Sequence, residues 1–142
     1  MRYLTVRLEA TGSGAFHPLG KLLTEEPSIQ REAIHHIELL PDDSVLILAE
    51  GSGDSDRYKE LMADSSLVEK YLVSGGERWM ATTQFDAEGP LMRFLRLRRD
   101  TDLVIDMPLQ IFDDGAVRIT FLGSDREFQQ LYDRTRGAGT FE

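Results

Sequence analysis

Two stretches of the sequence ask for the same local shape. Ala33–Leu40 and Val45–Glu50 are apolar runs joined by Pro41-Asp42-Asp43-Ser44. Later, the segment Leu103–Leu122 holds two more such runs, turning at Asp113-Asp114-Gly115. Pro, Asp, Ser and Gly between apolar runs are turn chemistry, because they preset or tolerate the backbone angles that a reversal needs. Each pair therefore reads as a β-hairpin. Each is followed by a small-residue loop and a short helix of aromatic and leucine residues. The acidic turns begin at Asp42 and Asp113, 71 residues apart. That is about the length of one βαββαβ unit, so the chain reads as an internal duplication.

The remaining pattern fills in the unit. Arg2–Glu9 alternates Leu4, Val6 and Leu8 with Tyr3, Thr5 and Arg7, the period of a half-buried strand. Gly12-Ser13-Gly14 breaks the chain, Pro18 opens a helix with Leu19, Leu22 and Leu23 on one face, and Pro27 stops it. After the first hairpin, Gly51-Ser52-Gly53-Asp54 reads as a loop into a helix with Tyr58, Leu61 and Met62 inward and Asp54 or Ser55 as N-cap. Val68–Val73 is a strand closed by Gly75-Gly76. This first half has the ferredoxin-like order β-α-β-β-α-β.

The second half starts with a strand at Arg78–Phe85, placing Trp79, Ala81, Thr83 and Phe85 on one face. Gly89-Pro90 begins a helix with Leu91, Phe94 and Leu95 inward and Arg93, Arg96 and Arg99 outward. The strand from Leu103 continues past Pro108 only at an edge or a bulge. Val117, Ile119 and Phe121 share a face of the next strand, and Ser124-Asp125-Arg126-Glu127 is a capping box before the helix of Phe128, Leu131 and Tyr132. Gly137-Ala138-Gly139 is a flexible exit, and Thr140-Phe141-Glu142 starts a strand that is cut short. The expected fold class is α+β: tandem ferredoxin-like units, about 1–75 and 76–142, whose antiparallel sheets either merge or pack face to face. An unfinished edge calls for a partner or for more chain beyond residue 142.

Composition excludes several functions. With no cysteine, disulfides, thiolate metal sites and cysteine nucleophiles are ruled out. The net charge of −9 repels phosphate backbones, which makes these 142 residues a poor nucleic-acid binder by themselves. Only three of the basic residues are lysines, and an acidic, lysine-poor surface suits a high-salt cytoplasm or, equally, a GC-rich genome. No apolar run reaches the length of a membrane span and the N-terminus has no signal pattern, so a cytoplasmic location is expected.

Candidate ligand contacts are His17, His35, His36 and Trp79. His35 and His36 are adjacent in a strand, so alternation sends them to opposite faces, with Glu38 beside His36. Three histidines without matched spacing are a weak metal signal, and no metal or cofactor is expected. Trp79 and Phe85 could line a pocket under the helices, although aromatic residues on a strand are more often plain core. The glycine pairs lack the pattern of a phosphate loop, and Ser13, Ser66 and Ser74 have no nucleophile-elbow context. Catalysis is not expected. The competing reading is a small ferredoxin-like enzyme with a pocket near His35, His36 and Trp79.

Several phrases together resemble a family: RYLTVRLEA, AFHPLGK, REAIHHIELLPDDSVLILAEGSGD, YLVSGGERWMATTQF and DGAVRITFLGSDREFQQL. They are similar to the N-terminal domain of haloarchaeal transcription regulators of the bacterio-opsin activator type, with Ala33-Ile34-His35-His36 the most specific part. The resemblance implies an input domain that senses a ligand or dimerises, followed by a helix-turn-helix that binds DNA. Nothing after Phe128–Arg134 supplies a recognition helix, so DNA contact belongs to a portion beyond residue 142. The implied partners are a small-molecule effector and a second copy of the chain, with no membrane.

Overall fold

The two acidic-turn hairpins lie side by side in one sheet. The computed structural model describes residues 1–8, 17–87, 89–135 and 139–141. In chain order the elements are β1 (Arg2–Leu8), α1 (Pro18–Thr24), β2 (Ile29–Leu39), β3 (Ser44–Gly53), α2 (Ser55–Asp64) and β4 (Val68–Gly75). They continue with β5 (Arg78–Asp86), α3 (Gly89–Asp100), β6 (Val104–Ile111), β7 (Val117–Gly123), α4 (Asp125–Thr135) and β8 (Gly139–Phe141). The fold is α+β, an antiparallel sheet of seven longer strands with the three-residue β8 at one edge.

The strand order is β4-β5-β3-β2-β6-β7-β1-β8. The hairpins β2–β3 and β6–β7 meet at a seam where Ala33 pairs Gln110 and Ile34 pairs Leu109. Of the two packings that the sequence left open, the sheets are thus merged. From either edge toward the seam, the order by place within each half of the chain is fourth, first, third, second. In each block of four, however, the first strand comes from the other half. β5 sits between β3 and β4, and β1 sits between β7 and β8. The strands therefore do not close into one self-contained unit after the other. The cause is local: only Gly76 and Glu77 join β4 to β5, and a two-residue connection makes its strands neighbours.

Two further expectations change. Gly51-Ser52-Gly53 is not a loop but the end of β3, opposite Arg31 to Ile29 on one side and Trp79 and Arg78 on the other. A Cβ at Gly51 would lie 2.5 Å from the Trp79 ring, so glycine there lets the indole lie on the strand. The second half does end in a strand, because β8 pairs with β1. The breaks expected at Gly12-Ser13-Gly14 and Gly137-Ala138 lie outside the described residues.

The histidines also move. β2 carries register shifts between Arg31 and Ala33 and between Ile34 and His36. A bulge adds a residue and resets the alternation of faces. Ile34 and Ile37 both face the core, so His35 and His36 fall together on the opposite face rather than on two faces. His35 there meets Glu50, whose neighbour in register, Met80, lies between the core residues Trp79 and Ala81 of β5.

One continuous core fills the space between one sheet face and the helices. Trp79, Ala81, Thr83 and Phe85 alternate inward from β5, as Ile119 and Phe121 do from β7. Leu91, Phe94, Leu95 and Leu97 meet them from α3, and Leu131 from α4. The other sheet face has no described helix over it and exposes Tyr3, Leu72 and Val104.

Candidate functional site: a cavity beneath α1

The first helix is held to the sheet by three devices. Pro18 sets its first turn and His17 caps it, Nδ1 accepting from the Leu19 N–H at 3.2 Å. With Nδ1 an acceptor, His17 Nε2 carries the proton and donates to the Asp86 carbonyl at 3.0 Å, the neutral tautomer. At the other end Gly115, with φ of +82°, lets the β6–β7 turn touch the helix; a Cβ there would run into the Thr24 side chain. Between them Arg31 Nη2 donates to the Gly20 carbonyl at 3.3 Å and to Thr24 Oγ1 at 3.1 Å.

Beneath α1 this leaves a cavity of about 100 Å³. Its wall is mostly hydrocarbon: Leu23 from α1, Ile34 and Ile47 from one block, Met62 and Phe94 from α2 and α3, and Leu109 and Ile119 from the other block. Four polar side chains interrupt it, His17, Arg31, Tyr58 and Thr83. The Tyr58 and Thr83 hydroxyls bond to each other at 2.6 Å in a buried setting. Burial pushes the Tyr58 phenol up, partly offset by Thr83 and by the charge of Arg31.

Arg31 is the unusual member. It has no ion pair among the described residues; its two acceptors are neutral. Burial draws its pKa down to about 10, so it remains a cation at neutral pH. A half-buried guanidinium with no opposite charge paired to it carries part of its desolvation cost uncompensated.

A second concavity of about 320 Å³ opens where β2 and β6 part from the seam. His36, Glu38, Arg98, Arg99 and Met107 line it, with Leu95 of α3 below. His36 Nε2 lies 3.2 Å from Glu38 Oε1. Arg98 Nε is buried with no hydrogen-bond partner, whereas Arg99 lies 3.8 Å from Asp43 and 3.9 Å from Asp100.

The four residues picked out in the sequence do not converge. His17 lines the cavity with both nitrogens engaged. His35 lies 2.9 Å from Glu50 on the uncovered sheet face, and Arg78 grips the same carboxylate. His36 is in the second concavity. Trp79 is 2% exposed, 4.9 Å from the Tyr58 ring, with its Nε1 buried and unpartnered, and it lines neither space. Among the described residues no cluster of three metal-ligating side chains forms, and no helix is long and apolar enough to cross a membrane.

Arg31 escaped the sequence reading, although a signal was present. It falls two residues after Ile29 in a strand, and that spacing places both on the core face. A charged residue type is ordinarily solvated, so composition opposes the register at that position.

A family model described as HVO_0513_N, N-terminal, matches residues 17–142, which spans every element from α1 onward. The family is haloarchaeal. No curated protein matches the chain.

Proposed function

Because the chain belongs to the HVO_0513_N, N-terminal family, we propose that it is the input domain of a haloarchaeal regulator, holding a small effector in the cavity beneath α1. The observation that carries this reading is the position of that cavity. It is bounded by both strand blocks, through Ile34 and Ile47 on one side of the seam and Leu109 and Ile119 on the other. Apolar lining with few polar groups is the usual chemistry of a small-molecule site. The His17, Tyr58 and Thr83 side chains are committed to each other or to backbone, which leaves the Arg31 guanidinium to meet an occupant and suits holding a molecule better than transforming one.

The mechanism is a shift of population. An occupant that fits one angle between the blocks better than another favours that angle, and anything attached beyond the second block moves with it. The mirror order of the strands supports a further reading, that the two blocks descend from one ferredoxin-like unit whose first strands were exchanged. The resemblance to bacterio-opsin activator regulators supports a helix-turn-helix as the attached module. A second copy of the chain is the partner in this scheme, with β4 an open sheet edge that exposes Leu72.

Hydrogen exchange with and without small apolar probes tests the cavity. With xenon or butane at saturation, protection should rise in β2 and β6 together and the melting temperature should increase. Protection confined to one block, or no probe binding at all, would remove the basis of the proposal.

A further inference from the structure

We infer that the molecule held beneath α1 is a small monocarboxylic acid, its carboxylate paired with Arg31 and its hydrocarbon body against Ile34, Met62 and Leu109. The inference rests on the cavity being a binding site and adds what that site selects.

Arg31 is the starting point. A guanidinium carries five N–H donors in a planar fork. Both of its hydrogen bonds leave from Nη2, so Nε and Nη1 donate to nothing among the described residues. Neither is a sealed buried atom, in contrast to Arg98 Nε. An arginine that keeps accessible N–H donors, has no paired anion and stands in an apolar wall is the arrangement that a carboxylate completes by a charge-assisted hydrogen bond. The nearby Tyr58 and Thr83 hydroxyls extend the polar corner of the wall, and the rest is hydrocarbon.

Charge and size narrow the class. One cation in the wall balances one negative charge, and a net charge of −9 opposes entry of anything more highly charged. Phosphates are therefore disfavoured against monoanions. A dry protein cavity of about 150 Å³ accommodates benzene. The space here is about 100 Å³, so the body is limited to a short chain.

The wild-type chain decides the matter without any substitution. Propionate and butyrate are compared with 1-propanol and 1-butanol, similar bodies without the charge, by titration calorimetry and thermal shift at neutral pH. Both acids should bind saturably, and about tenfold or more tighter than their alcohols, as expected for hydrogen bonds to a charged group. Arg31→Met should bring the acids down to the level of the alcohols while leaving alcohol binding in place. If losing the ties to α1 unfolds that variant, the wild-type comparison stands alone as the test. Equal binding of acid and alcohol overturns the carboxylate inference but keeps the cavity as a site. An acid preference that survives in folded Arg31→Met also overturns it, by placing the anion elsewhere. Failure of every probe removes the site itself.

Discussion

The block β6-β7-β1-β8 and the block β4-β5-β3-β2 have the same strand order and differently made interiors. In the former, Val6, Leu8, Ile105, Leu109, Ile119 and Phe121 bring only hydrocarbon inward, and Phe94 packs on Phe121 edge to face with centroids 5.5 Å apart. In the latter, the inward-facing groups include the Thr83 hydroxyl, the indole of Trp79 with its Nε1 unpartnered, and the Arg31 guanidinium. Tyr58 reaches across from α2 to bond Thr83. One block lines the space beneath α1 with hydrocarbon alone and packs tightly behind it. The other brings buried polar groups to the same space, and those are what orient an occupant.

Substitutions in the two interiors should therefore behave differently. Phe121→Ala removes a side chain that is 1% exposed and leaves a hole beneath Phe94. It should lower unfolding free energy by about 3–5 kcal/mol in denaturant titration, the largest effect expected here. A loss below ~1 kcal/mol would mean that the second block is not the tightly filled one. In the first block Tyr58→Phe deletes a hydroxyl and strands the buried Thr83 oxygen, at about 1–3 kcal/mol. Adding Thr83→Val should recover much of that loss, because removing both partners leaves no orphan. Additive losses in the double variant would show that the hydroxyl pair is not a closed unit.

Much of the fold could be read from local pattern. Alternation through Arg78–Phe85 marked the core face of β5 correctly, because every second residue turns inward where one face is buried. The capping box at Ser124 forms as its residue types require, with Glu127 Oε1 accepting from the Ser124 N–H at 3.0 Å and Ser124 Oγ from the Glu127 N–H at 3.2 Å. Alternation tells which face a residue takes but not which strand lies beside it. The pairing of β1 with β7 joins segments more than a hundred residues apart, and no motif in either announces it. The bulge between Ile34 and His36 was equally silent, since no glycine marks it, and it decided where both histidines went. The site was the least legible part: Arg31 matters because no carboxylate among the described residues pairs with it, and only the assembled fold defines such pairs.

The uncovered sheet face offers the smallest and most specific contrast between the blocks. On the first block, Glu50 accepts from Arg78 and lies 2.9 Å from His35. Arg78 first, and then His35, hold the Glu50 carboxyl below the usual glutamate range. A carboxylate whose folded pKa is depressed contributes stability above its unfolded pKa and loses it as pH falls through the folded value. Wild type should therefore be more stable than Glu50→Gln at neutral pH, and the difference should shrink steadily as the pH drops below the ordinary glutamate range. Because these groups face solvent, molar salt should also reduce the neutral-pH difference, whereas the Phe121→Ala loss should survive it. A Glu50→Gln difference that ignored both acid and salt would mean that the carboxylate acts there through packing alone, and the polar character assigned to the first block would then rest on its interior.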